Sequence, residues 1–131
     1  MNKVEDVSLE EFSKLKENDI LFIDSSHNIS IGNDVYYEYL EILPRLKKGV
    51  LIHVHDIFLP YEYPKKWIFE YLLFWSEQYL LQAFLSFNNN FEILWGGYYM
   101  HKKHPDLLKN NFGSYNEEKN NPGSFWFKRT K

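Results

Sequence analysis

The stretch Ile20-Leu21-Phe22-Ile23-Asp24 is an uninterrupted apolar run that is closed by an acid. Four apolar residues without alternation are typical of a parallel strand that is covered on both faces. Val50 to Asp56 repeats this arrangement, and the helical pattern between the two runs ends at Lys47-Lys48-Gly49, after Pro44 has distorted its last turns. Strand, helix, glycine and strand over about 35 residues predict a right-handed βαβ unit.

The remaining sequence predicts one helix before this unit and two strands after it. Ser8-Leu9-Glu10-Glu11 forms a capping box, which predicts a short amphipathic helix. Phe91 to Trp95 and Ser124 to Lys128 are predicted strands, and the absence of a long helix between them favours antiparallel pairing. We therefore expect an α/β fold of about four strands, the last of them antiparallel, in a single domain over residues 1–131.

The sequence also predicts the structure of two segments that connect the strands. Residues 65–87 follow a helical pattern that can divide into two helices near Trp75-Ser76, and its larger apolar residues are expected in the core. These residues are Tyr71, Leu72, Trp75, Tyr79, Leu80, Ala83, Phe84 and Phe87. Residues 98–121 are polar and weakly patterned, so we expect mainly a loop, with His101-Lys102-Lys103-His104 in solvent.

The composition excludes several classes of protein. The net charge is −3, which argues against a nucleic-acid partner, and 44% of the 131 residues are hydrophobic, which is enough for a packed core. The chain has no cysteine, so disulfides and thiolate metal sites are excluded. No apolar run approaches the ~18 residues of a membrane span, and the acidic N-terminus lacks a signal-peptide core. We expect a cytoplasmic protein with no membrane partner.

Acids end both strands of the predicted βαβ unit. The carboxyl ends of neighbouring parallel strands meet at one sheet edge, so Asp24 and Asp56 should lie within roughly 10 Å of each other. His27 follows Asp24, and His55 adjoins Asp56. Two carboxylates and two imidazoles could hold a divalent cation or serve as acid and base, whereas the alternative is that the acids only cap loop amides.

The segment His53-Val54-His55-Asp56 allows a second interpretation. The H-x-H spacing is common in metal sites, so a small metal-dependent hydrolase that uses this segment is one alternative function. His53 itself is expected to be buried and hydrogen-bonded. None of the six glycines forms a G-x-G-x-x-G or a G-x-x-x-x-G-K-[ST] loop, so the chain has neither glycine-rich phosphate-binding motif.

Five blocks of the sequence, in the right order, resemble class I S-adenosylmethionine-dependent methyltransferases. The blocks are Asp19-Ile20-Leu21-Phe22-Ile23-Asp24-Ser25-Ser26-His27, Glu41-Ile42-Leu43-Pro44-Arg45-Leu46-Lys47-Lys48-Gly49, His53-Val54-His55-Asp56-Ile57-Phe58-Leu59-Pro60, Glu77-Gln78-Tyr79-Leu80-Leu81-Gln82-Ala83-Phe84 and Pro122-Gly123-Ser124-Phe125-Trp126. The resemblance extends from about Val7 to Lys128 and concerns the C-terminal half of such a domain.

The resemblance implies a partial Rossmann-like methyltransferase sheet in three layers. The family's sheet has the strand order 3-2-1-4-5-7-6 with strand 7 antiparallel, and the four predicted strands correspond to its fourth to seventh. The glycine-rich loop after the family's first strand and the ribose-binding acid after its second have no counterpart in the sequence.

The resemblance also assigns roles at the strand ends. It implies that Asp24 and Ser25 lie beside the cofactor, and that His27, His55 and Asp56 are catalytic. In metal-dependent relatives, acids at the positions of Asp24 and Asp56 bind a divalent cation, so a metal is possible here.

The implied function is methyl transfer from S-adenosylmethionine to a small-molecule acceptor in intact relatives. With half of the cofactor site missing, we expect the chain alone to be inactive and not to bind the cofactor. The alternative is a non-enzymatic interaction module, or a split-gene half that pairs with another chain. The strand Ile20 to Ile23 would then be an open edge, so we expect either a homo-oligomer or pairing with a missing N-terminal half.

Overall fold

The structure, a computed structural model, describes residues 2–131 and contains four strands and six α-helices within them. The strands are β1 (Ile20–Ile23), β2 (Leu51–Val54), β3 (Phe91–Gly96) and β4 (Phe125–Arg129). The α-helices are α1 (Leu9–Phe12), α2 (Asp34–Tyr37), α3 (Lys65–Phe69), α4 (Glu77–Leu85), α5 (Gly97–Lys103) and α6 (Pro105–Asn111). None of these helices is long and apolar enough to cross a membrane.

The four strands form one open sheet in the order β1-β2-β4-β3. β1 and β2 are parallel, and β4 runs antiparallel to both of its neighbours. This order and these directions are those expected for the fourth to seventh strands of a methyltransferase sheet. The predicted partial Rossmann-like α/β fold is therefore confirmed.

One face of the sheet carries the core. Alternate residues of β1, β2 and β4 meet in rows on this face, so that Ile23, Val54 and Phe125 form one row. A helical segment over residues 34–45 covers these rows, and Leu81 of α4 packs beside it. Burial of this face accounts for the apolar residues Leu21 and Ile23 of β1. The expectation that β1 is covered on both faces is wrong, because Ile20 and Phe22 on its other face are exposed.

The opposite face, called here the second face, is covered only in part. Phe22, His53 and Trp126 form a row on it, and α6 with the segment that follows lies over the β3–β4 half. Ile20 and Phe22 remain 53% and 59% exposed. On the second face, the third layer of the fold thus covers β3 and β4 but leaves β1 uncovered.

The crossover between β1 and β2 is helical but irregular. Asn33 caps its start by accepting a hydrogen bond from the Tyr36 amide at 3.1 Å. α2 then widens into a π-helical turn (Glu38–Ile42) and tightens into a 3₁₀ turn (Leu43–Arg45). The distortion expected from Pro44 is confirmed, because a proline cannot donate the backbone hydrogen bond that a regular α-helix needs.

The prediction of a core-facing helical stretch over residues 65–87 is only partly right. The stretch does divide near Trp75-Ser76, but α4 buries Glu77, Gln78 and Leu81 rather than the face that the pattern indicated. Five residues expected in the core are exposed, namely Tyr71, Leu72, Tyr79, Ala83 and Phe87. The segment has more apolar residues than one helix face can bury. The spacing of the apolar residues therefore did not identify the face that packs against the core.

The prediction of a mainly irregular segment over residues 98–121 is wrong. Two helices, α5 and α6, occupy its first half, and His101 is buried instead of solvated. The His101 Nδ1 atom lies 2.7 Å from the Tyr115 hydroxyl, which supplies the hydrogen bond that burial of an imidazole requires.

Replacement of Gly49 by alanine is expected to destabilise the fold by roughly 2 kcal/mol, within the range for overpacked sites. Gly49 has a φ of +91°, and an added Cβ would lie 2.6 Å from the Glu17 Cβ atom. Gly113→Ala is the control, because a Cβ there meets nothing within 4 Å. Urea unfolding of both variants checks this, and equal losses of unfolding free energy would contradict it.

Candidate active site

The two strand-end acids lie at one edge of the sheet and share an imidazole. The His55 Nδ1 atom is 3.6 Å from the Asp24 Oδ1 atom and 3.3 Å from the Asp56 Oδ1 atom. Both carboxylates therefore lie well within the ~10 Å expected for neighbouring parallel strands. The His55 ring is half-exposed, so it can reach a molecule that binds at this edge.

The loop after β1 is anchored to the start of the crossover helix. The Ser26 amide and hydroxyl donate hydrogen bonds to the Asp34 carboxylate at 2.7 and 2.6 Å. Burial raises the pKa of Asp34, but these hydrogen bonds outweigh it and hold the pKa below its ordinary value. The anchor fixes the path of the chain between Asp24 and His27.

His27 turns inward and forms a buried charged contact. Its Nδ1 atom lies 2.6 Å from the Glu77 Oε2 atom, and its ring packs against Trp75 with the ring centres 4.1 Å apart. The Tyr39 hydroxyl donates to the second oxygen of Glu77 at 2.9 Å. The Nε2 atom of His27 faces back to the strand ends, 3.6 Å from the Asp24 Oδ1 atom.

The charge state of His27 follows from these neighbours. Burial lowers its pKa, but the hydrogen bond and the negative charge of Glu77 outweigh burial, with smaller contributions from Asp56 and Asp24. The pKa of His27 is therefore raised above 6.5. The fold thus stabilises a positive charge directly behind the two strand-end carboxylates.

Asp56 occupies a tight turn at the end of β2. Its φ is +56°, a left-handed conformation that is uncommon outside glycine. Gly123 crosses this turn so closely that an added Cβ would lie 2.8 Å from the Asp56 Cα atom, and the Ile57 amide donates to the Gly123 carbonyl at 2.8 Å. Burial raises the pKa of Asp56 although His55 and His27 act to lower it.

Ser25 and Glu38 form a second buried polar group beneath the loop. The Ser25 hydroxyl and the Glu38 Oε2 atom are buried and have no hydrogen-bond partner within residues 2–131. Burial raises the pKa of Glu38 to about 8. The nearby Ser25 hydroxyl acts to lower this pKa, although it makes no hydrogen bond of regular geometry, whereas the carboxylates of Glu77 and Asp34 raise it further. The Ser25 hydroxyl points into the protein. The predicted contact of Ser25 with a cofactor could therefore involve only its backbone.

His53 does not join the strand-end group. It lies between Phe22 and Trp126 on the second face, and its Nε2 atom is 2.8 Å from the Ser124 hydroxyl. The expectation of a buried, hydrogen-bonded histidine is confirmed. Within the described residues, no group of three or more His, Asp or Glu side chains is arranged to hold a metal ion. The geometry therefore gives no support to the hydrolase alternative or to a cation between Asp24 and Asp56.

The structure thus brings together Asp24, His27, His55 and Asp56, as the strand ends predicted. It adds Glu77, which the sequence pattern had placed in an apolar helix with no role, and Glu38 and Tyr39 from the crossover. The one available signal for Glu77 was a lone acid at the first turn of a strongly apolar segment.

Comparison with known proteins agrees with this geometry. A family model described as a methyltransferase domain matches residues 2–57, the segment that holds α1, β1, the crossover and β2 through Asp56. The match covers less than half of the chain, and it supports the resemblance over residues 2–57. No curated protein and no solved structure matches the chain.

Replacement of Glu38 by glutamine is expected to flatten the pH dependence of stability. The pKa of Glu38 is about 8 in the folded chain and near 4.5 when unfolded, so its stabilising contribution is present below pH 4.5 and is lost as the pH rises towards 8. At pH 9 the unfolding free energy of Glu38→Gln should exceed that of the wild type by up to roughly 5 kcal/mol, because the pKa of Glu38 rises from 4.5 to about 8 on folding and each pKa unit is worth about 1.4 kcal/mol.

Urea unfolding between pH 5 and pH 9 measures this effect. Glu10→Gln is the matched control, because Glu10 is exposed. The unfolding free energy of this variant should depend on pH as that of the wild type does. A Glu38→Gln variant with the same slope as the wild type would show that Glu38 is not buried in its protonated form.

Proposed function

We propose that the chain supplies the acceptor-side half of an S-adenosylmethionine-dependent methyltransferase domain. The observation that carries the proposal is the His55 imidazole set between Asp24 and Asp56, at the carboxyl edge of a parallel strand pair. Ligands bind beyond this edge in open α/β sheets. The whole arrangement lies in the segment that matches the methyltransferase family.

S-adenosylmethionine, when bound, supplies a sulfonium methyl group that the acceptor takes in an in-line displacement, leaving S-adenosylhomocysteine. His55 accepts the proton that the attacking hydroxyl or amine loses, because it is the half-exposed imidazole at the edge. Asp24 and Asp56 orient the His55 ring and stabilise the imidazolium that forms.

His27 acts by positioning rather than by proton transfer. Its ring is held by Glu77 and Trp75 and is almost fully buried. A protonated His27 balances the negative charges of Asp24 and Asp56, so both acids can remain near one another beside His55.

The residues fit only part of the cofactor. Asp24 presents a half-exposed carboxylate at the edge, which suits hydrogen-bond donors of the cofactor. The glycine-rich turn after the family's first strand and the acid after the family's second strand have no counterpart in the sequence. A glycine-rich half-domain is therefore needed for activity, and a role as an interaction module is the second candidate, favoured by the open edge of β1.

Calorimetric titration of S-adenosylmethionine into the chain alone is expected to show no micromolar binding. The same titration into the chain extended before Met1 by a glycine-rich half-domain of the family is expected to restore binding. Micromolar affinity of the chain alone would contradict the proposal, as would a folded extended protein that fails to bind.

The extended protein also tests the role of His55. His55→Asn is expected to lower kcat for transfer of a radiolabelled methyl group by roughly 100-fold, the scale of general-base catalysis, with little change in cofactor affinity. His104→Asn is the matched control, because His104 is an exposed histidine whose ring packs against Tyr99. Equal kcat values for the two variants would remove His55 from the mechanism.

A further inference from the structure

β1 is an open edge of the sheet. Within residues 2–131 its only strand partner is β2. The Leu51 amide donates to the Asp19 carbonyl and the His55 amide donates to the Ile23 carbonyl, both at 2.9 Å. Since parallel pairing alternates along a strand, the backbone groups of Ile20 and Phe22 face away from β2.

The side chains of the same two residues are also unpartnered on one side. Ile20 and Phe22 project from the second face and are more than half exposed, whereas Leu21 projects towards the core. α1 does not cover the edge, because Leu9 and Phe12 pack against the core and Phe12 contacts Tyr37. β1 contains no lysine, proline or bulge of the kind that blocks edge pairing.

We propose that this edge pairs with a second copy of the chain, in antiparallel register about a two-fold axis at Leu21. This register sets Ile20 opposite Phe22 of the partner subunit, so the outward backbone groups of both residues exchange hydrogen bonds. The proposal rests on the fold alone, and it holds or fails independently of the methyltransferase assignment.

The side chains and charges of β1 suit this register. Cross-strand pairs of an aromatic and a β-branched residue stabilise a sheet, and Ile20 with Phe22 of the partner subunit forms two such pairs. Asp24 lies opposite Asn18 of the partner subunit, and Asp19 opposite the partner's Ile23, so no two carboxylates face each other. A two-fold axis also closes the assembly at two copies, which leaves β1 without a free edge.

The partner copy does not complete the active site. Antiparallel pairing sends the carboxyl edges of the two copies in opposite directions, so the two Asp24–His55 groups lie far apart. A glycine-rich half-domain that adds a strand beside β1 would compete with the second copy for the same edge. The dimer is thus the form we expect for the chain on its own.

Sedimentation velocity of the chain over a series of micromolar concentrations measures the assembly. We expect twice the chain mass of 15.9 kDa. Phe22→Lys is expected to weaken the dimer by roughly tenfold or more, because it removes the apolar pairs and brings two cations near the axis. Ile31→Lys is the matched control, since Ile31 is fully exposed away from the edge, and it should remain dimeric.

Ile20→Pro tests the backbone hydrogen bonds of the β1 edge separately from the side-chain contacts on the second face. The Ile20 amide faces away from β2, so proline removes an outward donor and leaves the ladder between β1 and β2 intact. This variant should be monomeric with the circular dichroism spectrum of the wild type. A monomeric wild type, a folded Ile20→Pro variant that remains dimeric, or a folded Phe22→Lys variant with the dimer affinity of the wild type would overturn the proposed pairing.

Discussion

The contact between His27 and Glu77 joins parts of the chain that are fifty residues apart. This contact connects the loop after β1 to the first turn of α4. Backbone hydrogen bonds connect the same two segments, because the His27 carbonyl accepts hydrogen bonds from the Ser76 and Glu77 amides. No side chain caps the start of α4, so these bonds satisfy donors that the helix would otherwise leave free. The position of α4 on the core face, and of His27 behind the strand ends, depends on this contact.

The same contact sets the electrostatics of the sheet edge. Removing one member of a buried ion pair costs about 3–5 kcal/mol, because the other charge is left uncompensated. The raised pKa of His27 means that its contribution to stability is complete below pH 6.5 and is lost as the pH rises through the folded-state value. Because the His27 ring is almost fully buried, the half-exposed His55 is the imidazole that a molecule at this edge can reach.

Much of the fold could be predicted because its signals are local. The apolar runs of β1 and β2, the glycine between them and the acids that follow them define the βαβ unit and bring Asp24 and Asp56 to one edge. Glu77 and Glu38 could not be predicted as site residues, since an acid within an apolar helical pattern normally lies in solvent and their burial depends on long-range partners. The helices α5 and α6 were missed for a similar reason, because their polar sequence is stabilised by contacts such as that of His101 with Tyr115.

The central claim is that a charged His27, held by Glu77, organises the carboxyl edge of the parallel strand pair. Titration of the histidine ring signals by NMR tests it most directly, with Glu70→Gln as an exposed control. The account predicts a His27 pKa above 6.5 in the wild type and in the control, and a lower His27 pKa in Glu77→Gln, where burial is opposed only by the smaller effects of Asp56 and Asp24. A wild-type His27 that titrates at or below 6.5, or a pKa that Glu77→Gln leaves unchanged, would contradict it.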